Sequence, residues 1–323
     1  MFKKILKVLG FSQPATVEKP SASEHFTPSD TPQRDFELEN LLIEVAKEFE
    51  DENKFQKAAY DVANKLEFNR AKELTKYFHK NPPEPETLHS ATQKYGFFGV
   101  WMNICQNAIL EILFNYKEQA IPTLYSIGFG EYDWTQYKAI DVLCRLAKEG
   151  IETEDTIKKI GDEIQDFRYE AVMPSLESLS SIPNNKEVSK IILKIFDEYS
   201  KGDPIEGLYI LRLLTLNYPN EVKNKLSFIK AIAQGKGIEN RSPLLDGAVL
   251  SVDEEKKETY SLDGEEIQGN FEEIHKIRAA GLYFFLDDED NEINQLIDFW
   301  EHHAKEESHR NMIVELKKEK NKI

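Results

Sequence analysis

From Phe36 onward apolar side chains recur at intervals of three and four residues, the spacing that gives an α-helix one buried face. The pattern predicts helices near 36–50, 54–80, 100–117, 120–128, 134–149, 153–166, 168–181, 185–200, 205–217, 219–234, 271–286 and 292–320. Asn81-Pro82-Pro83, Pro183-Asn184-Asn185, Gly202-Asp203-Pro204 and Tyr218-Pro219-Asn220 fall at the breaks, where helices are expected to stop and start. Convincing strand patterns are scarce, so the expected fold class is all-α.

A small residue, an apolar one and a second apolar or small pair recur together. They stand at Ala108-Ile109…Ile112-Leu113, Ala139-Ile140…Leu143-Cys144 and Ala171-Val172…Ser175-Leu176, and more loosely at Gly207-Leu208…Leu211 and Gly281-Leu282…Phe285-Leu286. The spacings are 31, 32, 36 and 74 residues, the last being twice 37. A period in this range marks stacked helical hairpins, in which each small residue lets one helix approach its neighbour.

Three stretches carry a family likeness: Asp133-Trp134-Thr135-Gln136-Tyr137-Lys138-Ala139, Asp166-Phe167-Arg168-Tyr169-Glu170-Ala171 and Asp203-Pro204-Ile205-Glu206-Gly207. They resemble the Asp-Pro-x-x-Arg-x-x-Ala opening of HEAT-type repeats, Arg168 supplying the arginine and Pro204 the proline. The resemblance covers about residues 100–234. It implies an α-solenoid and leaves function open.

The helical pattern lapses between 236 and 270, where nine acids face four bases. Glu258 to Ile267, with Asp263-Gly264 at its turn, is expected to form a β-hairpin within an acidic insertion. At the other end, Phe2, Ile5, Leu6 and Leu9 share one helix face while Lys3, Lys4 and Lys7 point away, a short basic amphipathic helix over 1–11 suited to weak contact with an anionic membrane surface. Residues 12–34, rich in Pro, Ser and Thr, read as a flexible linker. The expected organisation is therefore a helix, a linker and a helical-repeat domain over 35–323.

Charge narrows the partners. The chain of 323 residues carries a formal net charge of −17. Residues 1–34 hold five Lys/Arg and three acids, so 35–323 holds 36 bases and 55 acids, a net −19. An acidic body repels phosphate backbones, which argues against nucleic acid and for a basic protein partner. Only Cys105 and Cys144 occur, both in apolar helical patterns, so no disulfide framework is expected. With Lys7 interrupting the apolar residues of the start, a cytoplasmic location, peripheral to the membrane at most, is the expectation.

Motifs for chemistry do not assemble. Glu-x-x-His occurs at Glu86…His89, Glu272…His275 and Glu306…His309, a spacing used by carboxylate-bridged metal centres in helix bundles. Glu306 and His309, however, read as part of a solvated polar run. Asp287-Asp288-Glu289-Asp290 has the acid density of a calcium loop, but such a loop needs Gly where Glu292 stands and Glu where Asp298 stands. A solvated helix start fits it better. No Gly-x-Ser-x-Gly, His-Glu-x-x-His or Walker-type lysine is present, so no catalytic residue, metal or cofactor is expected.

Aromatic residues are dense at Tyr95, Phe97, Phe98 and Trp101 and again at Tyr125, Phe129, Tyr132, Trp134 and Tyr137. Most are expected in the core. Tyr132, Trp134 and Tyr137 are the candidate contact residues, together with the acids Asp253, Glu254, Glu255, Asp287, Asp288 and Asp290. The functional expectation is a non-catalytic scaffold for protein binding, an inhibitor or immunity-type protein being its concrete form. The rivals are a membrane-peripheral adaptor using Phe2, Lys3, Lys4, Ile5, Leu6, Lys7 and Leu9, and an enzyme on a helical-repeat scaffold.

Overall fold

The computed structural model describes residues 34–89, 99–130, 135–237, three strands within 249–269, and 271–320. The basic segment 1–11 and the linker lie outside the described residues. Helices dominate, as an all-α chain requires, and the chain divides between Ile182 and Pro183 into two compact units.

The first unit contains α1 (Phe36–Ala46), α2 (Glu52–Ala63), α3 (Phe68–Lys72), α4 (Val100–Phe114), α5 (Ile121–Gly128), α6 (Gln136–Lys148), α7 (Thr153–Glu163) and α8 (Tyr169–Ser180). Asp35 caps α1 by accepting from Leu38 N at 3.2 Å, and Asp51 caps α2 by accepting from Lys54 N at 3.2 Å. Helix α4 packs against α1, α2, α3 and α6, and α6 in turn packs against α5, α7 and α8. The recurring positions of the sequence pattern supply this core. Ala108, Ile109, Ile112, Leu113, Ala139, Ile140, Leu143 and Cys144 are wholly buried, each large aliphatic side chain contributing about 1.5–3 kcal/mol.

A single helix over 54–80 is predicted, and the structure breaks it into α2, α3 and a 3-10 turn at Glu73–Tyr77. A residue about 50 positions away in sequence meets the break. The hydroxyl of Tyr116 sits between the carbonyls of Ala63 (3.0 Å) and Leu66 (2.8 Å), and its one hydrogen serves either of these groups that the helix end leaves open. Burial pushes the Tyr116 phenol up to about 12, so it stays a donor at neutral pH.

The second unit contains α9 (Lys186–Gly202), α10 (Pro204–Thr215), α11 (Pro219–Lys223), α12 (Leu226–Ala233), α13 (Phe271–Leu286), α14 (Asn291–His303) and α15 (Glu307–Lys320). Asn185 and Asp203 cap α9 and α10, and Pro204 occupies the first turn of α10, where its missing N–H costs nothing. Helix α10 packs on α9, α11 and α13; α13 packs on α12, α14 and α15. Gly207 explains how closely α9 and α10 approach, since a Cβ there would meet Ser200 Cβ at 2.6 Å and Phe228 Cζ at 2.9 Å.

Two predicted helices divide in this unit. The helix over 219–234 becomes α11 and α12. The helix over 292–320 becomes α14 and α15, and in the break between them Lys305 N donates to Glu273 of α13 at 3.0 Å. Within 249–269 the backbone runs as three antiparallel strands, β1 (Val249–Val252), β2 (Glu258–Leu262) and β3 (Glu265–Gly269), in the order β1-β2-β3. No described helix is long and apolar enough to cross a membrane.

Candidate interaction site

The described residues open into a groove of about 330 Å³ in the first unit, between α2 and α4. Helix α4 contributes Val100, Asn103, Ile104 and Asn107, positions i, i+3, i+4 and i+7 of one helix face. Facing them are Glu52 and Phe55, one turn apart on α2, and Phe49 from the connection that precedes it. Val100 and Ile104 are nearly buried, Phe49 and Phe55 are half-buried, and Asn107 is exposed.

The groove's walls differ in charge. From Val100 to Leu110 helix α4 has no ionisable side chain except Cys105, which is buried and whose thiol burial pushes up to about 12. Its polar edge is amide only, Asn107 Nδ2 donating to Asn103 Oδ1 at 3.1 Å. The opposite wall carries one acid, Glu52, while Glu48, Glu50 and Asp51 are its neighbours, and those of Phe49, in sequence. Lys47 lies 4.0 Å from Glu48 and Lys54 lies 3.3 Å from Asp51, both exposed pairs of the weak kind. Glu52 accepts from Gln56 Nε2 at 3.2 Å. This combination suits the holding of an apolar group with positive charge beside it.

The acids between α13 and α14 have divided roles. Asp290 caps α14, accepting from Glu292 N at 3.0 Å and Ile293 N at 3.2 Å, and also accepts from Lys230 Nζ at 2.8 Å and Tyr283 Oη at 3.0 Å. The Lys230 bond, foremost among these, holds its carboxyl below the usual range. Asp287 accepts from Glu289 N at 3.2 Å, and Asp288 lies 3.4 Å from Lys320 Nζ with more than half of its side chain exposed. Asp288 is therefore the most exposed of the three, and Asp290 the most heavily bonded.

Of the aromatic candidates, Tyr137 is half-buried on α6, where burial raises its phenol, while Tyr132 and Trp134 lie outside the described residues. So do Asp253, Glu254 and Glu255, and the membrane-contact candidates Phe2, Lys3, Lys4, Ile5, Leu6, Lys7 and Leu9. The large apolar side chains that stand exposed among the described residues are Phe36, Tyr60 and Phe299, none of which belongs to an aromatic cluster in sequence. Phe299 stacks on His303 with ring centres 4.7 Å apart.

His309 is a correction. The polar run around it predicts a solvated side chain, yet it is 1% exposed and its Nδ1 lies 2.8 Å from Glu273 Oε1. Its partner is thus on α13 and is not Glu306. Among the described residues no group of three or more His, Cys, Asp or Glu is placed to hold a metal ion. No protein-family model, curated protein sequence or solved structure matches the chain.

Proposed function

We propose that the chain is a non-catalytic protein-binding scaffold that captures a basic protein, as an inhibitor or immunity-type protein does. The observation that carries this is its charge. The region 35–323 holds a net −19, a field that attracts a basic partner, speeds its encounter and repels nucleic acid. The stacking of the helices as an α-solenoid, a cytoplasmic setting and the insertion 236–270 with its Asp263-Gly264 hairpin are part of the same reading. Extended helical-repeat surfaces serve recognition more than they serve chemistry.

The test is affinity capture with crosslinking from the native cell, using the full chain and a variant with Asp287→Lys and Asp288→Lys. Asp290 is left intact because it holds α14 in place. The expected result is one basic protein recovered with the unaltered chain and reduced at least fivefold by the variant. Recovery of no basic protein would sink the proposal, and recovery indifferent to the charge reversal would remove the acidic loop from it.

A further inference from the structure

The α2–α4 groove combines an apolar floor, one uncharged wall and one wall that carries Glu52. We propose that it is the docking site for a basic amphipathic helix of the partner. Two apolar side chains of that helix, one turn apart, enter between Phe49 and Phe55 on one side and Val100 and Ile104 on the other. Lysine or arginine next to these anchors lies beside Glu52 and the acids that adjoin it and Phe49 in sequence. This rests on the protein-binding reading above and names the part of the partner that is recognised.

Three observations select this occupant. The α4 stripe from Val100 to Asn107 extends about 10 Å, two helical turns, so a helix laid along it meets the groove over its full length. The volume of about 330 Å³ suits one or two large side chains, at the lower end of the range that holds small molecules. Finally, the charge is one-sided. A helix carrying cations along one flank of its apolar face meets Glu52 on the α2 side, with Glu48, Glu50 and Asp51 next to it and to Phe49 in sequence, and only Asn103 and Asn107 on the α4 side. Those amides give the helix hydrogen-bonding partners without charge. The Lys47–Glu48 and Lys54–Asp51 pairs are exposed and exchangeable, so incoming cations can replace them.

The test uses the full chain and three fluorescent 14-residue probes: a helix with leucine on one face and lysine elsewhere, the same helix with glutamate for lysine, and an all-lysine peptide. The leucine–lysine helix is expected to bind at least tenfold tighter than either of the others. With photo-leucine in the probe, crosslinks are expected at 49–55 and 100–107. The double substitution Asn103→Arg and Glu52→Lys should weaken binding tenfold or more. Glu118→Lys with Gln119→Lys changes the net charge equally at exposed positions and should weaken it less than threefold.

Crosslinks confined elsewhere would overturn the assignment, as would equal weakening by both double variants. A tenfold tightening when Leu6→Ser and Leu9→Ser are introduced would show the chain's own amino-terminal segment in the groove, and would also overturn it. If the groove variant misfolds by circular dichroism, the crosslink map on the unaltered chain decides. Capture of a basic partner that the groove variant leaves intact overturns the groove and spares the scaffold reading. Groove crosslinks with no basic partner recovered from cells do the reverse.

Discussion

Replacing a helical glycine by alanine usually stabilises a protein, and the two glycines of the α9–α10 hairpin are expected to respond with opposite signs. Gly207→Ala gains up to about 1 kcal/mol of helix propensity, less in the first turns of α10 where Gly207 lies. Against this, the new Cβ would stand 2.6 Å from Ser200 Cβ, 2.9 Å from Phe228 Cζ and 3.2 Å from Ser200 Cα. Ser200 Cβ and Cα are fixed to the backbone of α9, so the helices must separate rather than a side chain turn aside. Overpacking of that kind costs about 1–3 kcal/mol, which leaves a net loss of about 1–2 kcal/mol. Gly202, at the end of α9, has nothing within 4 Å of its absent Cβ, so Gly202→Ala should gain about 0.5 kcal/mol or a little less. Urea unfolding of the full chain gives the sign of each change, and hydrogen exchange on α9 and α10 assigns it to the second unit. A Gly207→Ala variant as stable as the parent would refute the reading of this position as a close helix approach. So would equal shifts in both variants.

Two further outcomes follow from the first unit. Arg145 on α6 donates to both carboxylate oxygens of Glu111 on α4, at 2.6 and 2.8 Å, with 29% and 10% of their side chains exposed. Removing one member of a buried pair is costly, but the partial exposure of Arg145 tempers it, so Glu111→Gln should lose about 2 kcal/mol. A double-mutant cycle with Arg145→Met should show a coupling of at least about 1 kcal/mol, and less than about 0.5 would contradict the pairing. Near by, burial holds the Asp141 carboxyl above its usual range although Ser178 donates to it at 2.9 Å. A carboxyl that binds its proton more tightly in the folded state lowers stability as pH rises from the unfolded value near 3.9 through the raised folded one. Asp141→Asn should therefore stabilise at pH 7 and change little at pH 3.5, and thermal melts showing a loss at pH 7 would reject this.

The core was legible because it repeats. Ala108-Ile109 and Ala139-Ile140 announce the buried faces of α4 and α6, and both pairs are wholly buried. Helix starts were legible where a local side chain makes them, as Asp203 and Pro204 do for α10. Breaks met by a side chain from a distant part of the chain were not. Tyr116 meets the carbonyls where α2 ends, and Glu273 meets the backbone between α14 and α15, contacts that a reading by local propensity does not see. His309 failed for the same reason: its neighbours in sequence are polar, while its neighbour in space is the Glu273 carboxylate, which also accepts from Lys305 N.

Charge and shape contribute differently to the candidate site. The acidic character of the chain is a sum over residues and can be read without knowing the fold, but a groove exists only where distant residues meet. Phe49 and Ile104 are 55 positions apart in sequence, and neither belongs to a motif. The periodicity at 100, 103, 104 and 107 marks a helix face, and by itself it says only that the face is apolar with amides at its edge. That α2 leaves this face partly uncovered, and brings Glu52 to its border, depends on where the chain turns after Ala46. Asp51 links the two levels. Its carboxylate caps α2 and so ends that turn, and it directly precedes Glu52, the acid that lines the groove. A substitution at Asp51 would therefore disturb the fold as well as the proposed docking, whereas Glu52, exposed and bonded to Gln56 of its own helix, is the cleaner probe of the docking.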